Sequence, residues 1–119
     1  MSLAITSRIV SGVVIVDLSG RLCFLEVALS EHINELLEEG HREFVVNLAD
    51  VPYIDSFGLG QLISVWTLIR DGGGHLILLR PTDRIQRLFE ITKLDSVFHI
   101  SLEEAQAVTS AQNSLAASA

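Results

Sequence analysis

The stretch Val51-Pro-Tyr-Ile-Asp-Ser-Phe-Gly-Leu-Gly60 decides how the chain is read. An apolar run before it, Phe44-Val-Val-Asn-Leu48, has the composition of a buried strand. After it, Leu59, Leu62, Ile63 and Trp66 recur at i, i+3, i+4 and i+7, the spacing of one helix face. Asp55 and Ser56 therefore stand where a loop turns into a helix. A helix start carries free N–H groups and a partial positive charge, so it stabilises a carboxylate, a hydroxyl or a phosphate. Gly58 and Gly60 fall in the first turn, where each glycine lowers helix propensity by about 1 kcal/mol relative to alanine. Either a partner's backbone comes close at this corner, or the helix packs tightly on what lies beneath it.

Working outward, the chain reads as one domain of 119 residues. Upstream, Leu3, Ile5 and Ile9 alternate with polar neighbours as a half-buried strand does. Ser11-Gly12 is a turn, and Val13 to Leu18 is a second strand, which makes a hairpin. From Phe24 to Glu39 the period changes to that of a helix, with Leu29, Ile33, Leu36 and Leu37 on its apolar stripe and Gly40 as C-cap. Downstream, Gly72-Gly-Gly74 stops the second helix near Asp71, and His75 to Leu79 is a strand covered on both faces. Thr82 or Asp83 caps a third helix with stripe residues Ile85, Leu88 and Phe89. Val97-Phe98 is expected as a short edge strand. Ser101-Leu-Glu-Glu104 has the pattern of a capping box and opens a last helix, ending near Ala111. The order is ββαβαβα(β)α, an α/β fold in one domain with a mixed sheet, a hairpin followed by parallel strands, and about four helices. Residues 1–112 form the domain, and residues 113–119 are expected to be a disordered tail.

Composition narrows the function. Hydrophobic residues make up 49% of the chain, enough for a core. Eight basic residues against fifteen acidic ones give a net charge of −7, with no basic face for nucleic acid. The single cysteine, Cys23, excludes an internal disulfide, and its apolar neighbours suggest a buried, inert thiol. No apolar run approaches the ~20 residues needed to cross a bilayer, and the first residues lack a signal-peptide pattern. A cytoplasmic protein without direct membrane insertion is expected.

The motifs exclude more than they assign. His32, His41, His75 and His99 lie at no metal-ligand spacing, so no metal site is expected. Gly-x-Gly at residues 58–60 lacks the third glycine of a dinucleotide loop, and no Gly-Lys-Ser/Thr is present. Ser56 is not in Gly-x-Ser-x-Gly. For Ser56 two readings stand side by side. It is a site of phosphorylation, adding about −1.5 to −2 charge at a helix start, or Asp55 and Ser56 supply only an N-cap worth ~1 kcal/mol.

Ile54-Asp-Ser-Phe-Gly-Leu-Gly60 resembles the Asp-Ser-Ser/Thr-Gly-Leu-Gly signature of the STAS domain of bacterial anti-sigma factor antagonists. Val-Asn-Leu48, Gly-Gly-His-Leu-Ile-Leu-Leu79, Arg87-Leu-Phe-Glu-Ile-Thr-Lys-Leu94 with Phe98, and Ser101-Leu-Glu-Glu-Ala105 extend the likeness from about Leu3 to Val108. The resemblance implies a protein that is not an enzyme and holds no cofactor. Its unphosphorylated form binds an anti-sigma factor that is also a serine kinase, which frees a sigma factor. The kinase, with its own ATP and Mg²⁺, phosphorylates Ser56 and ends the binding, and a phosphatase reverses it. Asp55, Ser56, Phe57, Gly58, Leu59 and Gly60 are the partner-facing residues implied. Oligomeric state is not implied. Two departures stand out: Phe57 replaces the family's Ser or Thr, and Cys23 stands where Gly-x-Leu-Asp is common. They favour the alternative, a STAS scaffold that never uses phosphate or the soluble subunit of a membrane lipid transporter.

Overall fold

A computed structural model describes residues 3–23 and 28–118. The chain opens with strands β1 (Ala4–Val10) and β2 (Val13–Ser19), paired antiparallel with Val10 opposite Val13 and Ala4 opposite Ser19. Their turn places Ser11 at φ 52° and Gly12 at φ 81°. Two left-handed residues in succession are what a tight hairpin matched to strand twist requires. Helix α1 (Ala28–Glu38), strand β3 (Glu43–Asp50), helix α2 (Ser56–Asp71) and strand β4 (His75–Leu79) follow. Helix α3 (Asp83–Ile91), strand β5 (His99–Ser101) and helix α4 (Glu104–Ser118) complete the domain. The sheet order is β1-β2-β3-β4-β5, and every pair after the hairpin is parallel. This is the mixed sheet with four helices expected from the order of elements.

The central strands are apolar on both faces because both faces are covered. Val14, Val16, Phe44, Val46 and Leu78 point toward Leu29 and Ile33 of α1, Leu62, Val65 and Ile69 of α2, and Ile85 and Phe89 of α3. Val13, Ile15, Val45, Ile77 and Leu79 point the other way and pack on Ala107, Val108 and Ala111 of α4. Three helices therefore lie on one face and one on the other.

Helix ends follow the expected chemistry in most places. Gly40, at φ 100°, donates to the Leu37 carbonyl at 3.0 Å, and His41 N donates to Leu36 at 3.1 Å. That pair of bonds is a Schellman C-cap. Thr82 caps α3 by accepting from Ile85 N. Four readings change. The α2 stripe is Gly58, Leu62, Val65 and Ile69, while Ile63 faces outward. This helix is apolar nearly all round, so periodicity left its orientation open. The last strand is His99–Ser101, not Val97-Phe98. Phe98 instead ends a turn after the 3₁₀ segment Leu94–Ser96, with its ring edge-on to Phe89 and Trp66. The Ser101 hydroxyl donates to the Glu103 carbonyl rather than closing a capping box, and the Glu104 carboxylate goes to Arg8. Finally, α4 runs past its expected end near Ala111 to Ser118, in a sequence rich in helix-favouring alanine. The expected start of α1 at Phe24 lies outside the described residues.

Candidate functional site

The loop from Val51 to Asp55 is fixed from beneath. Val51 is buried and its N–H donates to Leu48 O at 3.0 Å. Ile54 is buried and forms a parallel bridge with Leu22, which follows β2. Leu22 N donates to Tyr53 O at 3.1 Å, and Asp55 N donates to Leu22 O at 3.4 Å. Two apolar side chains thus anchor the corner, and the backbone between them is hydrogen-bonded to the neighbouring loop. The corner lies beyond the carboxyl ends of the parallel strands, where open α/β sheets place their binding sites.

On this base the helix begins. Asp55 is the N-cap, with extended backbone, and its Oδ1 accepts from Gly58 N at 2.8 Å. Its carbonyl accepts from Leu59 N at 2.9 Å. The capping work is therefore done by Asp55. Ser56 is the first helical residue and is exposed, at the positive end of a helix sixteen residues long. Phe57 beside it is 60% exposed. Gly58 and Gly60 differ. A Cβ on Gly58 would lie 2.0 Å from the Leu22 carbonyl oxygen, so only glycine lets α2 seat there. A Cβ on Gly60 would meet nothing within 4 Å. Of the six residues singled out in the sequence, Ser56, Phe57 and Gly60 share the outer surface. Asp55 is half-buried as the cap, Leu59 packs partly on the core, and Gly58 is buried.

Several residues at the corner carry no mark in the sequence. The Tyr53 ring has the Arg21 guanidinium carbon 4.7 Å and the Arg84 guanidinium carbon 5.2 Å from its centroid. The loops after β2 and β3 and the first turn of α3 meet in this cluster. Gln61 Nε2 donates to the Cys23 carbonyl at 3.0 Å, tying α2 to the loop after β2. Cys23 is half-buried rather than buried, and close to the site.

Away from the corner, the polar groups serve the fold. Arg8 on β1 bonds Asp17 on β2 at 2.8 Å and also Glu104 of α4. Its guanidinium holds both carboxyls below their ordinary range, chiefly by hydrogen bonding, and the hydrogen bonds to Glu104 and then Asp17 raise the Arg8 pKa in turn. At the amino edge of the sheet, Glu43 is 2% exposed and its carboxylate lies 3.0 Å from His75 Nδ1. No group of three or more His, Cys, Asp or Glu able to hold a metal occurs among the described residues. No helix among them is long and apolar enough to cross a membrane.

The comparisons with known proteins agree with this fold. The family model of the STAS domain matches residues 4–107. An anti-sigma-B factor antagonist of Staphylococcus aureus is 37% identical over 73 residues, which are 61% of this chain and 68% of that protein. A candidate anti-sigma factor antagonist from Thermotoga maritima, solved by crystallography, superposes with a TM-score of 0.82 at 27% identity, over 91% of this chain and 94% of its own. The Bacillus cell fate determinant SpoIIAA, solved in a phosphorylated form, shares the fold with a TM-score of 0.67 at 22% identity, over 87% and 96% of the two chains.

Proposed function

This chain belongs to the STAS domain family, and on that premise we propose that it is an anti-sigma factor antagonist that acts by binding rather than by catalysis. Its relatives carry that name. In the unphosphorylated state it binds an anti-sigma factor that is also a serine kinase, and the sigma factor held by that kinase is released. The reading rests above all on one observation: Asp55 caps α2, which leaves the adjacent Ser56 hydroxyl exposed at the helix start.

The chemistry of the switch is phosphoryl transfer in the partner's site. The Ser56 Oγ attacks the γ-phosphorus of ATP, the bond to the β–γ bridging oxygen breaks, ADP leaves and the serine proton goes to a base of the kinase. This chain supplies the hydroxyl and its placement. A dianionic phosphate at this position is tolerated by the fold, because a helix N-terminus favours negative charge. For the partner the change is larger. A surface shaped to a neutral hydroxyl now meets about −2 charge beside the Asp55 carboxylate, which brings repulsion and a desolvation cost. Hydrolysis of the ester by a phosphatase restores the first state.

The test is direct. Incubation with the cognate kinase and ATP is expected to add one phosphate, mapped by mass spectrometry to Ser56, and Ser56→Asp is expected to weaken kinase binding by about tenfold or more. No phosphate on Ser56, or an unchanged affinity for Ser56→Asp, removes the switch. One observation favours the second reading, a scaffold indifferent to phosphate: Phe57, 60% exposed, gives the surface an apolar anchor beside the hydroxyl. Stable capture of a partner that is not a kinase, unaffected by Ser56→Ala, would establish it.

A further inference from the structure

Next to the Ser56 corner lies a feature of opposite charge to the molecule as a whole. Tyr53 and Ile54 form one wall of a cleft of about 270 Å³, and Arg84, Ile85, Arg87, Leu88 and Ile91 of α3 form the other. Arg84, Arg87 and Arg21 are exposed. The ion pairs among the described residues involve Arg8, Arg70, His41 and His75, so no carboxylate of the described residues pairs with these three guanidinium groups. Three of the eight basic side chains of a chain with net charge −7 are thus gathered at one corner. Beside them, Ile91 is 71% exposed.

The arrangement has a shape as well as a charge. Arg84, Arg87, Leu88 and Ile91 follow one another at i, i+3, i+4 and i+7, a stripe along one side of α3. An open groove beside such a stripe suits an element laid lengthwise in it, with apolar anchors between charged positions. Guanidinium groups recognise carboxylates in bidentate fashion, and Tyr and Arg are the residues that carry most energy at protein interfaces. The groove is continuous with the Ser56 loop, because Tyr53 and Ile54 directly precede Asp55.

We infer that the groove between Tyr53 and α3 is a second docking surface for the partner that meets Ser56, and that it receives an acidic amphipathic segment of that partner. Carboxylates of the segment meet Arg84 and Arg87, and an apolar side chain lies between Ile54 and Ile91. This rests on the reading of Ser56 as the partner-facing acceptor, and it deepens that reading. A phosphate added beside an acidic partner segment repels it directly, and it also competes for the guanidinium groups that recruit it.

The experiment uses the full chain and the purified kinase that phosphorylates Ser56. Binding is measured by calorimetry at low and high salt for the wild type, Ser56→Asp and the double variant Arg84→Glu/Arg87→Glu. Both arginines are exposed, so the double variant should match the wild type in circular dichroism and in urea unfolding. It should bind about tenfold more weakly, with a flatter salt dependence, and should raise KM for phosphorylation of Ser56 while leaving kcat nearly unchanged. Unchanged affinity and salt dependence, with Ser56→Asp still disrupting the complex, overturns this inference alone. A wild-type protein that does not bind the kinase, or is insensitive to Ser56→Asp, overturns the underlying reading as well. A change in oligomeric state of the double variant, with kinase affinity retained, assigns the groove to a second copy of the chain and also overturns the inference.

Discussion

Asp55 and Ser56 divide a task that either residue type can perform. Both are good caps, and their order alone does not say which accepts the bond. The geometry gives it to Asp55, 2.8 Å from Gly58 N, and leaves the serine hydroxyl on the surface. The two glycines separate in the same way, and substitution should show it. Gly58→Ala places a methyl group 2.0 Å from the Leu22 carbonyl oxygen, a backbone atom that cannot swing aside. A loss of about 2–3 kcal/mol in urea unfolding is expected. Gly60→Ala has open space around it and gains helix propensity, so a gain of up to about 1 kcal/mol is expected. If the first turn is a contact surface, the same stabilised variant should bind the kinase more weakly, because the added methyl faces outward. The spacing Gly-x-Gly gave no way to tell these roles apart, since the difference lies in what stands opposite each Cα.

At the scale of elements, helix periodicity worked where a helix has one apolar side and failed where it has several. The stripe of α1 was legible from Leu29, Ile33 and Leu36, all buried. The stripe of α2 was not, because Leu59, Ile63 and Trp66 compete with Val65 and Ile69 for the inward face, and packing on the sheet chose between them. Capping boxes are equally contingent: Glu104 was free to reach back to Ser101 but instead meets Arg8 from β1. That ion-pair network joins β1, β2 and α4, and it makes stability depend on pH. Asp17 and Glu104 are held below ordinary values of 3.8 and 4.5. Each binds fewer protons folded than unfolded in that range. The stabilisation is therefore complete above the unfolded-state values and is lost as the pH falls through the lowered ones. Arg8→Ala is expected to cost about 1 kcal/mol near neutrality, as exposed networks do, and to flatten the decline in stability between about pH 5 and about pH 3. Urea midpoints across that range measure both effects.

For the whole molecule, the decisive fact is that the sheet is covered on two sides by unequal layers. Three helices cover one face, and α4 alone covers the other, through Ala107, Val108 and Ala111. Val108→Asp should therefore cost about 3 kcal/mol or more, because no other helix among the described residues packs on the face formed by Val13, Ile15, Val45, Ile77 and Leu79. Thermal unfolding with dye binding to the exposed sheet would show it. Charge is also distributed at this scale: a molecule of net charge −7 keeps three arginines without an ion-pair partner among the described residues at the corner where β2, β3 and β4 end. The sequence by itself determined the order of elements, the hairpin, the parallel strands and the Asp55-Ser56 corner, because these depend on period and on turn and cap residues that are neighbours in the chain. Only the tertiary structure decided which glycine is pressed against Leu22, which face α2 buries, and that Arg21, Tyr53 and Arg84 form one cluster. Those outcomes depend on contacts between segments distant in sequence, and such contacts leave no local pattern to read.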